Sequence, residues 1–177
     1  MKKLSTLLSL FAMGLLLFTA GCKLVDITQD INGGSVTFTI ETQVKGSYED
    51  VNNATIDLKS ELEKYNVSLD KLSKLQIKSA TFTLIDGSSS PVTFDVVDNA
   101  ILEVGSSSAS LPLKKIAWKD PVPHTGLSIL AADVDNSIDV LPYAKAADVQ
   151  YRVAGVLNSD IDHPIDIKVE ITWTVEF

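Results

Sequence analysis

The last thirteen residues constrain the fold more than any other stretch of the chain. In IDIKVEITWTVEF, Ile165, Ile167, Val169, Ile171, Trp173, Val175 and Phe177 alternate with Asp166, Lys168, Glu170, Thr172, Thr174 and Glu176. Side chains of an extended backbone point to opposite sides at a period of two. The run therefore predicts a strand with one apolar, buried face and one wet face. Wound as a helix, the same residues would scatter their apolar groups around the axis and bury none of them well. A strand of this kind needs neighbours beside it and a second layer beneath it.

The remainder supplies both. VTFTIETQV (36–44) alternates in the same way, while KGSYEDVNN (45–53) reads as a loop. From Thr55 the period changes. Leu58, Leu62, Tyr65, Leu69 and Leu72 recur at helical spacing, so 56–72 reads as one amphipathic helix or a pair, with Ser68 placed to cap the second. LQIKSATFTLID (75–86) changes phase near Ser79, which predicts either a bulge there or a strand buried on both sides near its end. Two strands are expected across VTFDVVDNAILEV, turning at Asp98-Asn99, and GSSSAS (105–110) reads as a linker. LPLKKIAW, with Pro112 and Pro121 nearby, suits an edge strand. After the loop DPVPHTG, strands are expected at LSILAADV and VQYRVAGVL, with a helical turn starting at Pro142 between them. Short loops and one-faced alternation point to antiparallel pairing. The predicted fold is mainly β, an antiparallel β-sandwich of about eight strands with one or two short accessory helices.

The amino end has a different character. MKKLSTLLSLFAMGLLLFTAGC opens with Lys2 and Lys3, runs almost wholly apolar from Leu4 to Phe18, and offers Thr19, Ala20 and Gly21 before Cys22, the chain's single cysteine. The apolar run is shorter than the roughly 20 residues of a comfortable membrane-spanning helix, and small residues follow it directly. This segment resembles a bacterial lipoprotein signal peptide with its lipobox. Gly21 and Ala20 match the family's preference before the modified cysteine, and Thr19 stands where Leu is usual. The resemblance covers about 22 residues. It implies cleavage before Cys22, a diacylglyceryl group on the Cys22 thiol and an acylated new amino end. Because Lys23 follows where an Asp favours inner-membrane retention in enteric lipoproteins, the resemblance also implies the outer membrane, with palmitate-type chains as anchor. The expected organisation is a signal peptide over 1–21, a lipid-anchored tether over 22–35 ending at Asn32-Gly33-Gly34, and a single sandwich domain over 36–177.

Charge and cysteine count narrow the function. With 15 basic and 23 acidic side chains among 177 residues, the net charge is −8; loss of Lys2 and Lys3 with the signal lowers it by two, to −10. Such a chain repels phosphate backbones, and no nucleic acid is expected as a partner. One cysteine forms no intrachain disulfide and no thiolate zinc site. A lipid thioether would explain why a lone thiol is tolerated in an exported protein.

Candidate chemistry is sparse. His124 lies in a Pro-rich loop and His163 in SDIDHP, and no G-x-S-x-G elbow accompanies either. Asp133, Asp135 and Asp139 alternate as oxygen ligands do in calcium loops, but the Gly and Glu of that pattern are replaced by Ile138 and Ala144. The three are read first as an acidic solvated loop whose Asp side chains cap turns, with a weak calcium site as the alternative, and no cofactor is expected. Trp118 is the aromatic most exposed to ligand contact on its position, between Ile116 and a rigid loop, whereas Trp173 is in phase with the core. A terminal strand ending in Phe177 also resembles that of outer-membrane barrels, although the lipobox and the 7% aromatic content count against a barrel. The chain is therefore read as not an enzyme. The expected function is a structural, adhesive or complex-forming envelope lipoprotein, its partners the membrane through Cys22 and envelope proteins or glycans. The alternatives are a carrier of an apolar ligand or lipid, and a carbohydrate-binding module.

Overall fold

The computed structural model describes residues 28–52, 62–64, 66–88, 91–146 and 148–177. In chain order the elements are β1 (Thr28–Ile40), β2 (Gly46–Asn52), β3 (Lys74–Ile85), β4 (Val97–Ser106), β5 (Leu111–Lys119), β6 (Ile129–Ala131), β7 (Asp133–Val134), the single-turn helix α1 (Leu141–Ala144), β8 (Val149–Leu157) and β9 (Ile165–Glu176). Two 3₁₀ turns, Leu69–Lys71 and Phe94–Val96, precede β3 and β4. The strands form two sheets, ordered β1-β9-β3-β6 and β2-β8-β4-β5-β7, and every pairing is antiparallel. The fold is an antiparallel β-sandwich, as its alternation requires.

β9 is central in its sheet, paired with β1 on one side and β3 on the other. Its odd-numbered residues turn into the sandwich, and Ile167, Val169, Trp173 and Val175 are completely buried. Burying the five aliphatic side chains of this face contributes about 7–15 kcal/mol gross, before chain ordering offsets most of it. The apolar face of β9 is thus a core face. Phe38, Phe82, Leu102, Val153 and Ile116 meet it from the other strands, all fully buried.

Several expectations hold in detail. The phase change in β3 is a register shift between Ile77 and Ser79, which returns Ala80, Phe82 and Leu84 to the core. α1 has Pro142 in its first turn. Along β5 only Ala117 and Trp118 pair with β7, so the stretch carrying Pro112 has an open edge. A proline lacking an N–H and exposed Lys114 and Lys115 make that edge a poor template for a further strand.

Other expectations are corrected. The tether expected over 22–35 overlaps β1, which already begins at Thr28. Asn32-Gly33-Gly34 is a register shift inside that strand, where Asn32 Oδ1 accepts from Gly34 N at 2.9 Å. Here turn residues bend a strand without ending it. Gly33 is required at this point, because a Cβ there would overlap Nε1 and Cδ1 of buried Trp173. The segment 46–52, read as loop, is edge strand β2; its only buried side chain is Tyr48, so it shows no alternation. Asp98-Asn99 is likewise a register shift, and β4 runs through it as one strand. LSILAADV splits at Ala132, its first half pairing with β3 and its second with β5, so this segment crosses between the sheets. Among the described residues the count is nine strands.

Part of the helix expected over 56–72, residues 56–61 and 65, lies outside the described residues. Within them, Leu62 and Leu72 are buried and Leu69 is partly so, and Leu69–Lys71 is a 3₁₀ turn that Ser68 precedes without a side-chain cap. Among the described residues no helix is long and apolar enough to cross a membrane.

Two features of the frame position everything that follows. First, β2 closes the corner between the sheets: Thr39 N donates to Asp50 Oδ2 at 2.9 Å, and Asn52 Nδ2 donates to Thr37 O at 2.7 Å. These contacts occupy part of the open edge of β1. Second, the sandwich has two distinct ends. Thr28, Lys74 and Glu176 share the proximal end with α1, whose Val140 N donates to Leu75 O, and with the β4–β5 turn, reached through the Tyr143 hydroxyl bond to Pro112 O. Ile40, Ile85 and Ile165 share the distal end with the loops 41–45, 86–96, 120–128 and 158–164.

Candidate functional site

Cys22 lies outside the described residues. Trp118 is half-buried on the outer face of the five-stranded sheet, opposite Ile101 and Asp133. A bulge places it there. The register shift between Leu102 and Glu103 turns both Ile116 and Ala117 inward, so Lys115 and Trp118 emerge on the same outer face. Lys115 Nζ then sits 4.5 Å from the indole centroid. A cation over the ring is a favourable contact, and it occupies a surface on which a sugar would stack. Beside it, Arg152 bonds Glu103 on β4 and Glu49 on β2, tying three strands together.

The three aspartates of the acidic loop are each committed to a different local partner. Asp133 pairs with Lys119 at 3.4 Å. Asp135 accepts from Ser137 N at 3.0 Å and from its hydroxyl at 2.5 Å, which holds its carboxyl below the usual range. Asp139 accepts from Leu75 N and Leu141 N, both at 3.0 Å, and so joins the start of β3 to the start of α1. Among the described residues no three His, Cys, Asp or Glu side chains are grouped to hold a metal ion.

The two most elaborate polar clusters are ones that the sequence does not announce. At the proximal end Asp148 gathers the hydroxyls of Ser106, Ser107 and Ser108 and the Ser108 N–H. These donors hold its carboxyl far below the ordinary carboxylate range, the three hydroxyls contributing most. The Ser-rich segment expected as a linker is therefore a bonded hairpin turn.

At the distal end Asp86 and His163, 77 residues apart, join two loops. Asp86 accepts from Val92 N at 2.6 Å and Ser88 N at 2.8 Å, and these two bonds push its carboxyl far below the usual range. His163 Nε2 donates to Asp86 at 3.1 Å and Nδ1 donates to Asp162 Oδ1 at 2.5 Å. Ionised carboxylates only accept, so donating from both ring nitrogens at once requires the imidazolium form. Asp86 first, and Asp162 second, raise its pKa above the ordinary 6.5. His124, on a neighbouring loop, sets Nδ1 2.9 Å from Asp95 O. Both histidines thus fasten loops, and each bond described for them goes to an acid or a backbone carbonyl.

A pH dependence follows. A raised folded-state pKa contributes stability that is complete below the unfolded value near 6.5 and is lost as pH rises through the folded value. The difference in thermal midpoint between the native chain and His163→Gln is therefore expected to be largest on the acid side of 6.5 and to shrink above it. A difference that stays flat with pH would show that the imidazolium is not what holds these loops.

Two shallow cavities lie on the outer face of the four-stranded sheet. One, of about 310 Å³, is lined by residues including Asp30, Asn32, Thr81 and Glu170; the other, of about 350 Å³, includes Gln76, Lys78 and Thr174. Both adjoin the register shifts of β1 and β3, where flanking strands bend away from β9. Their linings mix polar and apolar surface in similar amounts. A third, of about 270 Å³, is lined by Glu63, Val67, Ser68 and Leu69 at the proximal end.

No family model matches this chain, and no curated protein matches it. Among solved structures, a chain of turnip yellow mosaic virus is 9% identical, with 85% of this chain and 93% of that one covered and a TM-score of 0.30. A chain of the capsid asymmetric unit of cyanophage Pam1 is 12% identical, with 88% and 90% covered and a TM-score of 0.36. A chain of Desmodium yellow mottle tymovirus is 10% identical, with 85% and 82% covered and a TM-score of 0.26. At these scores none of them bears on function, and the sandwich rests on its own strand pairing.

Proposed function

We propose that this chain is a non-enzymatic lipoprotein of the cell envelope, held at the outer membrane by acyl chains on Cys22, whose β-sandwich serves as a structural, adhesive or complex-forming module. The observation that carries the reading is the order basic–apolar–small–Cys over residues 2–22, followed only six positions later by the first strand at Thr28. Lys23 after the cysteine favours the outer membrane. A core filled by Trp173, Phe38, Phe82 and Phe94 supports a packed module over a carrier that opens around an apolar ligand. The lysine over Trp118 counts against a sugar platform on that face.

Cys22→Ser is expected to abolish incorporation of labelled fatty acid, to leave the precursor uncut, and to leave no lipid-modified protein in the membrane fraction. Two or three acyl chains hold durably where one does not, so this loss should be close to complete. Continued labelling of the variant would refute the anchor. For the module, gentle solubilisation of envelopes should recover the protein with a stoichiometric protein or glycan partner. Recovery with bound lipid alone would favour a carrier.

A further inference from the structure

We infer that the proximal end of the sandwich, around Leu69–Lys74, is the face that rests on the lipid bilayer, and that the aspartate-rich distal loops point away from it. This rests on the proposed acylation of Cys22 and adds to it a direction.

Chain length gives the first half of the inference. Six residue steps separate Cys22 from Thr28, and at 3.3–3.6 Å per step they reach at most about 20 Å. β1 itself is 13 residues long and carries the chain about 40 Å to the distal end. An anchor at Cys22 therefore reaches the proximal half of the molecule and falls short of the distal loops by about 20 Å. The domain has no slack with which to turn over.

Reach alone would still allow the sandwich to lie flat; the acidic distal loops and the apolar cleft at the proximal end weigh against that. The distal loops and adjoining strand ends hold Asp86, Asp95, Asp98, Asp120, Asp160 and Asp162. The basic side chains on the same loops and strand ends are Lys45, Lys119, His124 and His163. Such a surface is repelled by anionic headgroups. The proximal end is less one-sided: exposed Lys71, with Lys74 and Lys145, stands against Asp70, Asp139, Asp148 and Glu176, and Asp139 and Asp148 there are held by backbone and hydroxyl donors. It also offers an apolar lining, since Val67 and Leu69 form part of the 270 Å³ cleft there. Apolar side chains flanked by lysine stems suit the headgroup boundary, where the stem stays in apolar surroundings and the ammonium in water.

The chain's single cysteine makes the test clean. Once Cys22 is acylated, a cysteine introduced elsewhere is the only free thiol and takes one fluorophore. Lys71→Cys marks the proximal end and Ser159→Cys the distal end; both side chains are exposed. Each full-length, acylated protein is purified from membranes, labelled and reconstituted into vesicles of mixed zwitterionic and anionic phospholipid carrying a headgroup quencher. Quenching at position 71 is expected to exceed that at 159 several-fold. Equal quenching, stronger quenching at 159, or none at either site would overturn the orientation. Fatty-acid labelling is read on the same samples. If it is present, any of those failures falls on the orientation alone; if it is absent, the anchor fails and the orientation with it.

Discussion

Trp173→Ala is expected to lower unfolding free energy by about 3–5 kcal/mol, read as a shift in urea midpoint at constant slope. Trp173 sits at the middle of the sheet β1-β9-β3, is completely buried, and is the largest side chain in the core. Its removal leaves a void that neighbours locked into ladders on both sides of β9 cannot collapse to fill. Against a total stability of order 5–15 kcal/mol, that loss alone brings the domain close to unfolding. Trp173→Phe should cost much less than Trp173→Ala. The indole Nε1 has no hydrogen-bond partner among the described residues, so replacing it by carbon removes an unsatisfied donor while keeping most of the volume. If Phe proves as costly as Ala, the indole nitrogen has a partner, such as a buried water, that outweighs its desolvation.

Gly155→Ala is the second large effect, about 3 kcal/mol or more, at the top of the range for overpacking. Gly155 faces Ala100 on β4 and Tyr48 on β2. A Cβ built there would overlap the Asn99 carbonyl oxygen and lie 2.7 Å from the Tyr48 ring and hydroxyl. The ring is buried, and its hydroxyl, also without a hydrogen-bond partner among the described residues, is buried with it. The carbonyl belongs to a strand paired on both sides. Since neither can move cheaply, the β2–β8–β4 register must shift or open, and hydrogen exchange should rise first along β2, the edge strand. Protection along β2 that matches the native chain would mean that the corner can absorb a methyl group.

What could be read from sequence divides along a physical line. β9 was legible because seven residues in phase have only one extended solution, and the bulge at Ser79 because a phase slip within an apolar run leaves a trace. β2 was not, since an edge strand with one buried side chain carries almost no periodic signal. Asn32-Gly33-Gly34 and Asp98-Asn99 have turn chemistry, yet both sit inside strands, where a bulge uses the same backbone freedom. The Asp86–His163 pair spans 77 positions, and only the meeting of two loops at the distal end creates it. The Asp148–serine cluster likewise needs β4 and β8 to be neighbours before Asp148 reaches the hairpin turn. A side chain's periodic phase is a local property, whereas polar clusters depend on topology.

The same topology links the anchor to the rest of the molecule. On the proposed acylation of Cys22, the six steps before Thr28 and the polarity of β1 would put the bonded serine turn, α1 and the 69–74 segment toward the lipid, and the loops fastened by His163 toward the aqueous side. A partner in the envelope would therefore meet the distal end first.

The central claim is the covalent state of Cys22, and mass spectrometry of the amino-terminal peptide from membrane-purified protein tests it directly. The account predicts a peptide beginning at Cys22 whose mass includes a diacylglyceryl thioether and an amide-linked acyl chain. A peptide that begins elsewhere, or one that begins at Cys22 with a free thiol, would contradict it.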